Sequence, residues 1–337
     1  MGPKISMEEI AKMFGVSKVT VSKALNGREG VSEELRIKIK TKAEELGYRI
    51  NPAARGLKTN KSYNIGIAIP EKYIGEDDSY YFSVYVKIVR AFTELGFSTM
   101  FEVIQLDQEK KLIMPDMYYD GKIDGLIIMG QPNDEYLKLY EDASIPVIFF
   151  DFYKTDTKVD CVVTDNFYSG GIVTKLLIDK GHKEIGFVGN IYATSSIQDR
   201  YLGYCRALLE NKLEIKSEYN ISDRGDDGNL IELVLPKKMP TAFVCNNDLI
   251  AYNLIKLLKE KGYNIPNDIS IVSFDNVKLS QMSEPPLTTI DNNVDEMVDV
   301  ACKVMVKKIE NPNKHYNRIL IKTKLIERES IKQLGGN

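Results

Sequence analysis

Gly15-Val16-Ser17-Lys18-Val19-Thr20-Val21-Ser22-Lys23-Ala24-Leu25-Asn26-Gly27 reads as a turn, a cap, a short amphipathic helix and a stop. Gly15 supplies the left-handed backbone that a Cβ disfavours, and Ser17 offers a side-chain oxygen to the first free amides of a helix. In that helix Val21, Ala24 and Leu25 fall on one face, and Lys18, Val19, Ser22 and Lys23 on the other. Upstream, Ser6-Met7-Glu8-Glu9 is a capping box, so a first helix runs from Met7 to Phe14 with Ile10, Ala11 and Phe14 inward. Downstream, Ser32 caps a third helix through Leu35, Ile39 and Leu46 to the Gly47 stop, which covers the backs of the first two. Two short helices joined by a glycine turn, the second polar and basic, lay a recognition helix in the DNA major groove. There Lys18 and Lys23 would donate to guanine O6 and N7, and Val19 would touch a thymine methyl.

The charge distribution agrees. The chain of 337 residues has a net charge of -3, but residues 1 to 60 carry 12 Lys and Arg against 7 Asp and Glu, leaving 33 against 41 for the remainder. The basic end is therefore the candidate for phosphate contact. A hydrophobic content of 43% is ordinary for a globular chain, and no run approaches the roughly 20 apolar residues that span a bilayer. The N-terminus lacks the apolar core of an export signal, so a cytoplasmic protein without membrane contact is expected. Cys161, Cys205, Cys245 and Cys302 form no CxxC pair, and His182 and His315 are the two histidines, so no metal or other cofactor is expected.

From Tyr63 onward, apolar strands alternate with amphipathic helices. Strands are expected over 64–70, 98–103, 125–129, 147–151, 161–165, 185–189, 242–246 and 270–274, and helices over 82–95, 168–180, 198–211 and 249–261. Alternating units of this kind give parallel sheets covered on both faces, and over about 270 residues they make two doubly wound lobes. Ligands of such sheets sit at the carboxyl ends of strands. Asp151, Asn246-Asn247-Asp248 and Phe274-Asp275-Asn276 end strands, while Ser196 and Arg200 follow another. Carboxylates, amides and an arginine fork suit a polyol, because each buried hydroxyl both donates and accepts. Tyr80, Tyr81 and Phe167 would cover the apolar faces of its ring. Any one Asp or Asn at a strand end is equally a turn or cap residue. No GxSxG, phosphate loop, histidine cluster or dinucleotide fingerprint accompanies the carboxylates, so catalysis is not expected. A transport-type binding protein would share the lobes but need an export signal and no helix-turn-helix.

Between the two parts, Asn51-Pro52-Ala53-Ala54-Arg55-Gly56-Leu57-Lys58 starts another helix, too short to be stable alone in water. The run from Ile10 to Gly27, then Val31-Ser32, Leu46-Gly47-Tyr48 and Asn51 to Leu57, closely resembles the DNA-binding headpiece of the lactose-repressor/galactose-repressor (LacI/GalR) family. The resemblance continues through Thr164 to Gly171, Gly181 to Gly189, Asp199 to Tyr204, Asn246 to Asp248, Asp268 to Asn276 and Pro285 to Ile290. It implies that Lys18, Val19 and Lys23 read bases, that 51–58 folds as a hinge helix on DNA, and that Leu57 wedges into the minor groove. Ser17, Thr20, Ser22, Asn26 and Arg55 complete the expected DNA-binding set. Effector contacts are implied at Asp151, Ser196, Arg200, Asn247 and Asp275, with Tyr81 from the first lobe, and a structural role for His182. Lys23 stands where many members have arginine, and Ser273 where glycine is common.

The expected organisation is a helix-turn-helix domain over 1–50, a hinge over 51–61 and an effector-binding and dimerisation domain over 62–337. Its first lobe takes about 62–162 and 293–323, its second about 163–291 and 324–333. The partners expected are a pseudo-palindromic operator, a small-molecule effector of sugar type and a second copy of the chain. One recognition helix reads only a half-site, and the residues after Ile326 are too few for a heptad tail, so a dimer is expected. Repression of carbohydrate-utilisation genes, relieved by ligand, is the expected role; a purine corepressor or a partner protein is the alternative.

Overall fold

The computed structural model describes residues 5–25, 29–48, 61–75, 80–225 and 227–335. The expected hinge helix, with Arg55 and Leu57, and Asn26 at the end of the recognition helix lie outside them. The chain divides into a small unit ending at Ser62 and a large one beginning at Tyr63.

In the small unit, α1 (Met7–Phe14), α2 (Lys18–Leu25) and α3 (Glu33–Glu45) form where the caps direct. The Ser6 hydroxyl accepts from the Glu9 amide at 3.2 Å, and the Glu9 carboxylate accepts from the Ser6 amide at 2.6 Å. Gly15 ends α1 at φ 61°, and the Ser17 hydroxyl accepts from the Thr20 amide at 3.0 Å. Ile10, Val21, Ala24 and Ile39 are fully buried between the three helices, with Leu25, Leu35 and Tyr48 packed around them.

The large unit holds two six-stranded sheets. In the first, β1 (Asn64–Pro70), β2 (Ser98–Ile104), β3 (Gly125–Met129), β4 (Val147–Phe150), β5 (Asp160–Thr164) and β11 (Arg318–Ile321) run parallel in the order β11-β5-β4-β3-β1-β2. In the second, β6 (Ile185–Val188), β7 (Asn220–Ile221), β8 (Ala242–Cys245), β9 (Ser270–Phe274), β10 (Thr288–Asp291) and β12 (Lys324–Ile326) lie in the order β12-β10-β9-β8-β6-β7. Of these only the edge strand β12 is antiparallel to its neighbour. The chain thus passes between sheets after Thr164, after Asp291 and after Ile321.

Helices cover both faces of each sheet. On the first, α4 (Tyr80–Glu94) and α8 (Val294–Glu310) close one core, with Val84, Ile88 and Phe92 meeting Met297, Ala301 and Met305 over Ile67 and Ile148. The buried Lys308 ammonium on α8 meets the Asp160 carboxylate, which also accepts the Tyr316 and Asn317 amides at 2.7 Å each. That pairing fastens the end of α8 to β5 and the approach to β11. On the second sheet, α5 (Asn166–Asp179) and α6 (Ser195–Glu210) cover one face, and α7 (Asp248–Glu260) the other.

Helices α5 and α6 touch backbone to backbone. A Cβ on Gly170 would stand 2.2 Å from the Arg200 carbonyl oxygen, and one on Gly203 would stand 2.1 Å from that of Phe167, whereas one on Gly171 would meet its nearest neighbour at 3.7 Å. Gly170→Ala is expected to destabilise the large unit by about 1–3 kcal/mol through overpacking. Gly171→Ala, in ordinary contact, is expected to gain about 0.5–1 kcal/mol of helix propensity. Urea denaturation of the two variants checks the pair; equal effects would mean that the helices do not need the close approach.

Candidate functional site

Two constellations are built, one in each unit. On α2, Val19 is 64% exposed, an unusual position for an apolar side chain unless something apolar meets it. Beside it Ser17 and Lys18 are exposed, and Thr20, Ser22 and Lys23 are half-buried. The Lys18 ammonium is 2.8 Å from Glu8 on α1, both groups well exposed, and the lysine holds that carboxyl below the usual range. An exposed pair of this kind is cheap to exchange for a phosphate. Arg36 on α3 donates to the Lys23 carbonyl at 3.5 Å, tying the end of α2 to the third helix.

In the large unit, the carboxyl ends of the two sheets face one another. Asp151 follows β4 and Asp275 follows β9, and both hold left-handed backbone, φ 70° and 102°, a strained state for residues with a Cβ. Between them lies Arg200 on α6, 5% exposed. Its Nε donates to Asn166 Oδ1 at 2.7 Å, Nη1 donates to the Asn246 carbonyl, and Nη2 reaches Asp275 at 3.4 Å. The Phe274 ring lies under the guanidinium, 4.5 Å away. Asn292 donates to Asp275 at 2.8 Å, and the Tyr81 hydroxyl donates to Asp151 Oδ2 at 3.1 Å. Asp151 Oδ1 and Asn292 Oδ1 are buried with no hydrogen-bond partner among the described residues.

Burial pushes the Asp151 carboxyl up to about 7, Arg200 opposing and Asp275 reinforcing the shift. Asp275 is raised for the same first reason, with Arg200 and Asn292 pulling it back. Behind them Asp248 is also raised to about 7 by burial, although Ser273, Thr289 and the Val277 amide all donate to it, the hydroxyls at 2.5 and 2.7 Å. Ser273 therefore has a task that glycine could not perform.

Seven of the eight residues expected to touch an effector line one inner chamber of about 70 Å³: Tyr80, Tyr81, Asp151, Ser196, Arg200, Asn247 and Asp275. Asn247 is at once cap and wall, since its Oδ1 accepts the Ile250 amide at 2.8 Å. Phe167 is not among the lining residues; its ring meets Arg206 at 5.5 Å, and it is the preceding Asn166 that turns inward to hold Arg200. Asn246, marked in the sequence as a strand-end residue, also lines the chamber, whereas reasoning from the sequence missed Tyr73 and Arg224 in its wall and Asn292 beside it. The larger cavity, about 500 Å³, adjoins this chamber on the outside and shares Tyr73, Thr194 and Arg224 with it. Gln131, Tyr153, Ser195 and Gln198 are among its other walls, and across it the Ser195 amide donates to Gln131 at 2.8 Å while the Tyr153 hydroxyl donates to Asp199 at 2.9 Å. His182 is buried at the far end of α5 between Thr241 and the Lys332 carbonyl, at 2.9 and 3.1 Å. All four cysteines are free, three of them buried. No cluster of metal-binding side chains occurs among the described residues.

The sign of the Asp151 effect on stability is fixed by its raised pKa. Its neutral form suits the fold, so the contribution is full below the unfolded value near 4 and is lost as pH rises through about 7. Asp151→Asn is expected to stabilise the empty protein at pH 8, by on the order of 2–4 kcal/mol, and to leave it unchanged near pH 4. Thermal denaturation at the two pH values checks this; equal shifts at both would remove the carboxylate as the cause.

The sequence profile described as "Bacterial regulatory proteins, lacI family" matches residues 6–51, and "Periplasmic binding protein-like domain" matches residues 174–331. The chain is 31% identical to the HTH-type transcriptional repressor PurR of Histophilus somni (strain 129Pt), over 98% of this chain and 99% of that one. It is 27% identical to the ribose operon repressor of Haemophilus influenzae (strain ATCC 51907 / DSM 11121 / KW20 / Rd), with the same coverage. Its fold is similar to a lac repressor dimer bound to operator and the anti-inducer ONPF, with a TM-score of 0.71 at 21% identity, over 98% of this chain and 100% of that one. It is also similar to a complex of the transcriptional regulator CelR with cellobiose, with a TM-score of 0.69 at 21% identity, over 97% and 100%. With a helix-turn-helix at one end and paired parallel sheets at the other, the chain belongs to the lacI family of bacterial regulatory proteins and is a DNA-binding transcriptional regulator.

Proposed function

We propose that this regulator is a repressor whose operator affinity is set by a sugar held between Asp151 and Asp275. The observation that carries the reading is the pair of strand-end carboxylates, one from each sheet, both in left-handed backbone and both beside Arg200. A hydroxyl-rich ring supplies donors for the unpartnered Asp151 Oδ1 and acceptors for the Arg200 fork. A flat purine offers the Asp151 carboxylate in-plane N–H donors but no hydroxyl that both donates and accepts.

Because the ligand touches both sheets, it binds one arrangement of the lobes better than another. Linkage then makes operator affinity depend on ligand, and ligand affinity on operator, by the same factor. Release of the operator on ligand binding is the sign favoured here. A dimer supplies the second half-site reader, in line with the operator-bound dimer among the similar structures. On α2, Lys18, Val19 and Lys23 are the base readers of this proposal, with Ser17, Thr20 and Ser22 beside them and Asn26, Arg55 and Leu57 in segments outside the described residues.

Two measurements test it. In a thermal-shift screen of the full chain against hexoses, disaccharides, adenine and hypoxanthine, a sugar is expected to raise Tm in proportion to RT ln(1 + [L]/Kd). A response to purines alone overturns the sugar reading. In DNA binding, Lys23→Ala is expected to reduce discrimination between operator and random duplex by about 1–3 kcal/mol, with little change in non-specific affinity. A uniform loss on both duplexes would make Lys23 a phosphate contact.

A further inference from the structure

The inner chamber does not account for the whole cleft. At about 70 Å³ it is well under the roughly 300 Å³ at which small-molecule sites begin, whereas the adjoining outer cavity of about 500 Å³ is well within that range. A ligand anchored by Asp151 and Arg200 therefore has to extend outward past Thr194 and Arg224.

The two spaces differ in charge. The inner wall carries Asp151 and Asp275 against Arg200 and Arg224, and its unsatisfied atoms are acceptors. Among the described residues, the outer wall carries Lys72, Lys154 and Arg224 against a single acid, Asp134. Arg224 gives two N–H groups to the buried Asp223, at 3.0 and 2.8 Å, and Lys154 is 3.4 Å from Asp134. Lys72 makes no hydrogen bond or ion pair among the described residues. Its ammonium lies 5.3 Å from the Tyr73 ring centre, and a Cβ on Gly228 would meet its stem at 3.0 Å. Burial lowers its pKa, with Glu109 opposing and Arg224 reinforcing the effect. An ammonium desolvated without a partner is an unfavourable arrangement that an anion would reverse. The N-terminus of α6 opens on the same cavity through Thr194, Ser195 and Gln198, and its dipole favours negative charge there.

We propose that the effector is an acidic sugar, its hydroxylated end in the inner chamber and its phosphate or carboxylate in the outer cavity beside Lys72, Lys154 and Arg224. This rests on the sugar reading of the inner chamber and narrows it.

The test is isothermal calorimetry on the full chain with hexoses and disaccharides, each paired with its phosphate ester and its uronic acid, and with inorganic phosphate and hypoxanthine alone. One acidic member is expected to bind at least about tenfold more tightly than its neutral counterpart, a difference of 1.4 kcal/mol that shrinks as salt is raised. The phosphate and uronate arms tell which anion is used. In Lys72→Met the ratio of the two dissociation constants, measured on one protein preparation, is expected to fall towards one, and Lys154→Met gives an independent variant with the same expected fall. A neutral sugar that binds as tightly as both its acidic forms overturns the inference and leaves the sugar reading standing. So does an unchanged ratio in both variants, whereas a sugar phosphate no tighter than inorganic phosphate, with neither its uronate nor its neutral form binding, overturns both readings. Binding of hypoxanthine alone, or of nothing in the panel, overturns both readings.

Discussion

A guanidinium buried away from water has to be met on every edge, and around Arg200 the protein supplies Asn166, the Asn246 carbonyl, Asp275 and the Phe274 ring. These come from α5, the end of β8 and the end of β9, so the arginine fixes three elements against one another. The acceptors that surround it cannot be relaxed one at a time, because each left alone would be a buried unpaired group. Asp275 accordingly stays where Arg200 and Asn292 hold it, at φ 102°. The polar floor of the chamber is in place before any ligand arrives, and binding does not have to order it.

Against this rigid floor, Asp151 is the uncommitted group. Tyr81 satisfies one of its oxygens and the other has no hydrogen-bond partner among the described residues, while burial raises its pKa to about 7. A carboxylate kept in that condition lowers the stability of the empty protein at neutral pH. Sites that bind tightly commonly hold such destabilised groups, since the interaction is recovered only when the ligand is present.

Much of this was legible from residue order. Ser6, Ser17 and Ser32 marked the helix starts of the small unit because capping is a local interaction that needs no tertiary partner, and α1 begins and ends where those residues predict. The apolar runs of β1, β3 and β9 stand out because parallel strands buried on both faces have no polar alternation to blur them. The short edge strands β7, β11 and β12 were missed, since half-exposed segments of two to four residues carry no periodic signal. Strand-end position was enough to single out Asp151 and Asp275. Phe167 was misplaced because it and Asn166 are adjacent on a helix and point in different directions, which only the rotation of α5 decides. Arg224 and Lys72 were invisible: each acts through a fold of the chain that brings a loop of one lobe against a segment of the other.

The contact between α5 and α6 has a reach beyond packing. The atom that a Cβ on Gly170 would strike is the backbone carbonyl of Arg200 itself, so the distance between two helix backbones on the outer side of the lobe sets where the guanidinium stands in the chamber. A shift of a few tenths of an ångström there would reposition the fork without altering any residue that faces the ligand. Descendants of this sequence can therefore retune which molecule they answer to by changing helix spacing, leaving the lining of the chamber untouched.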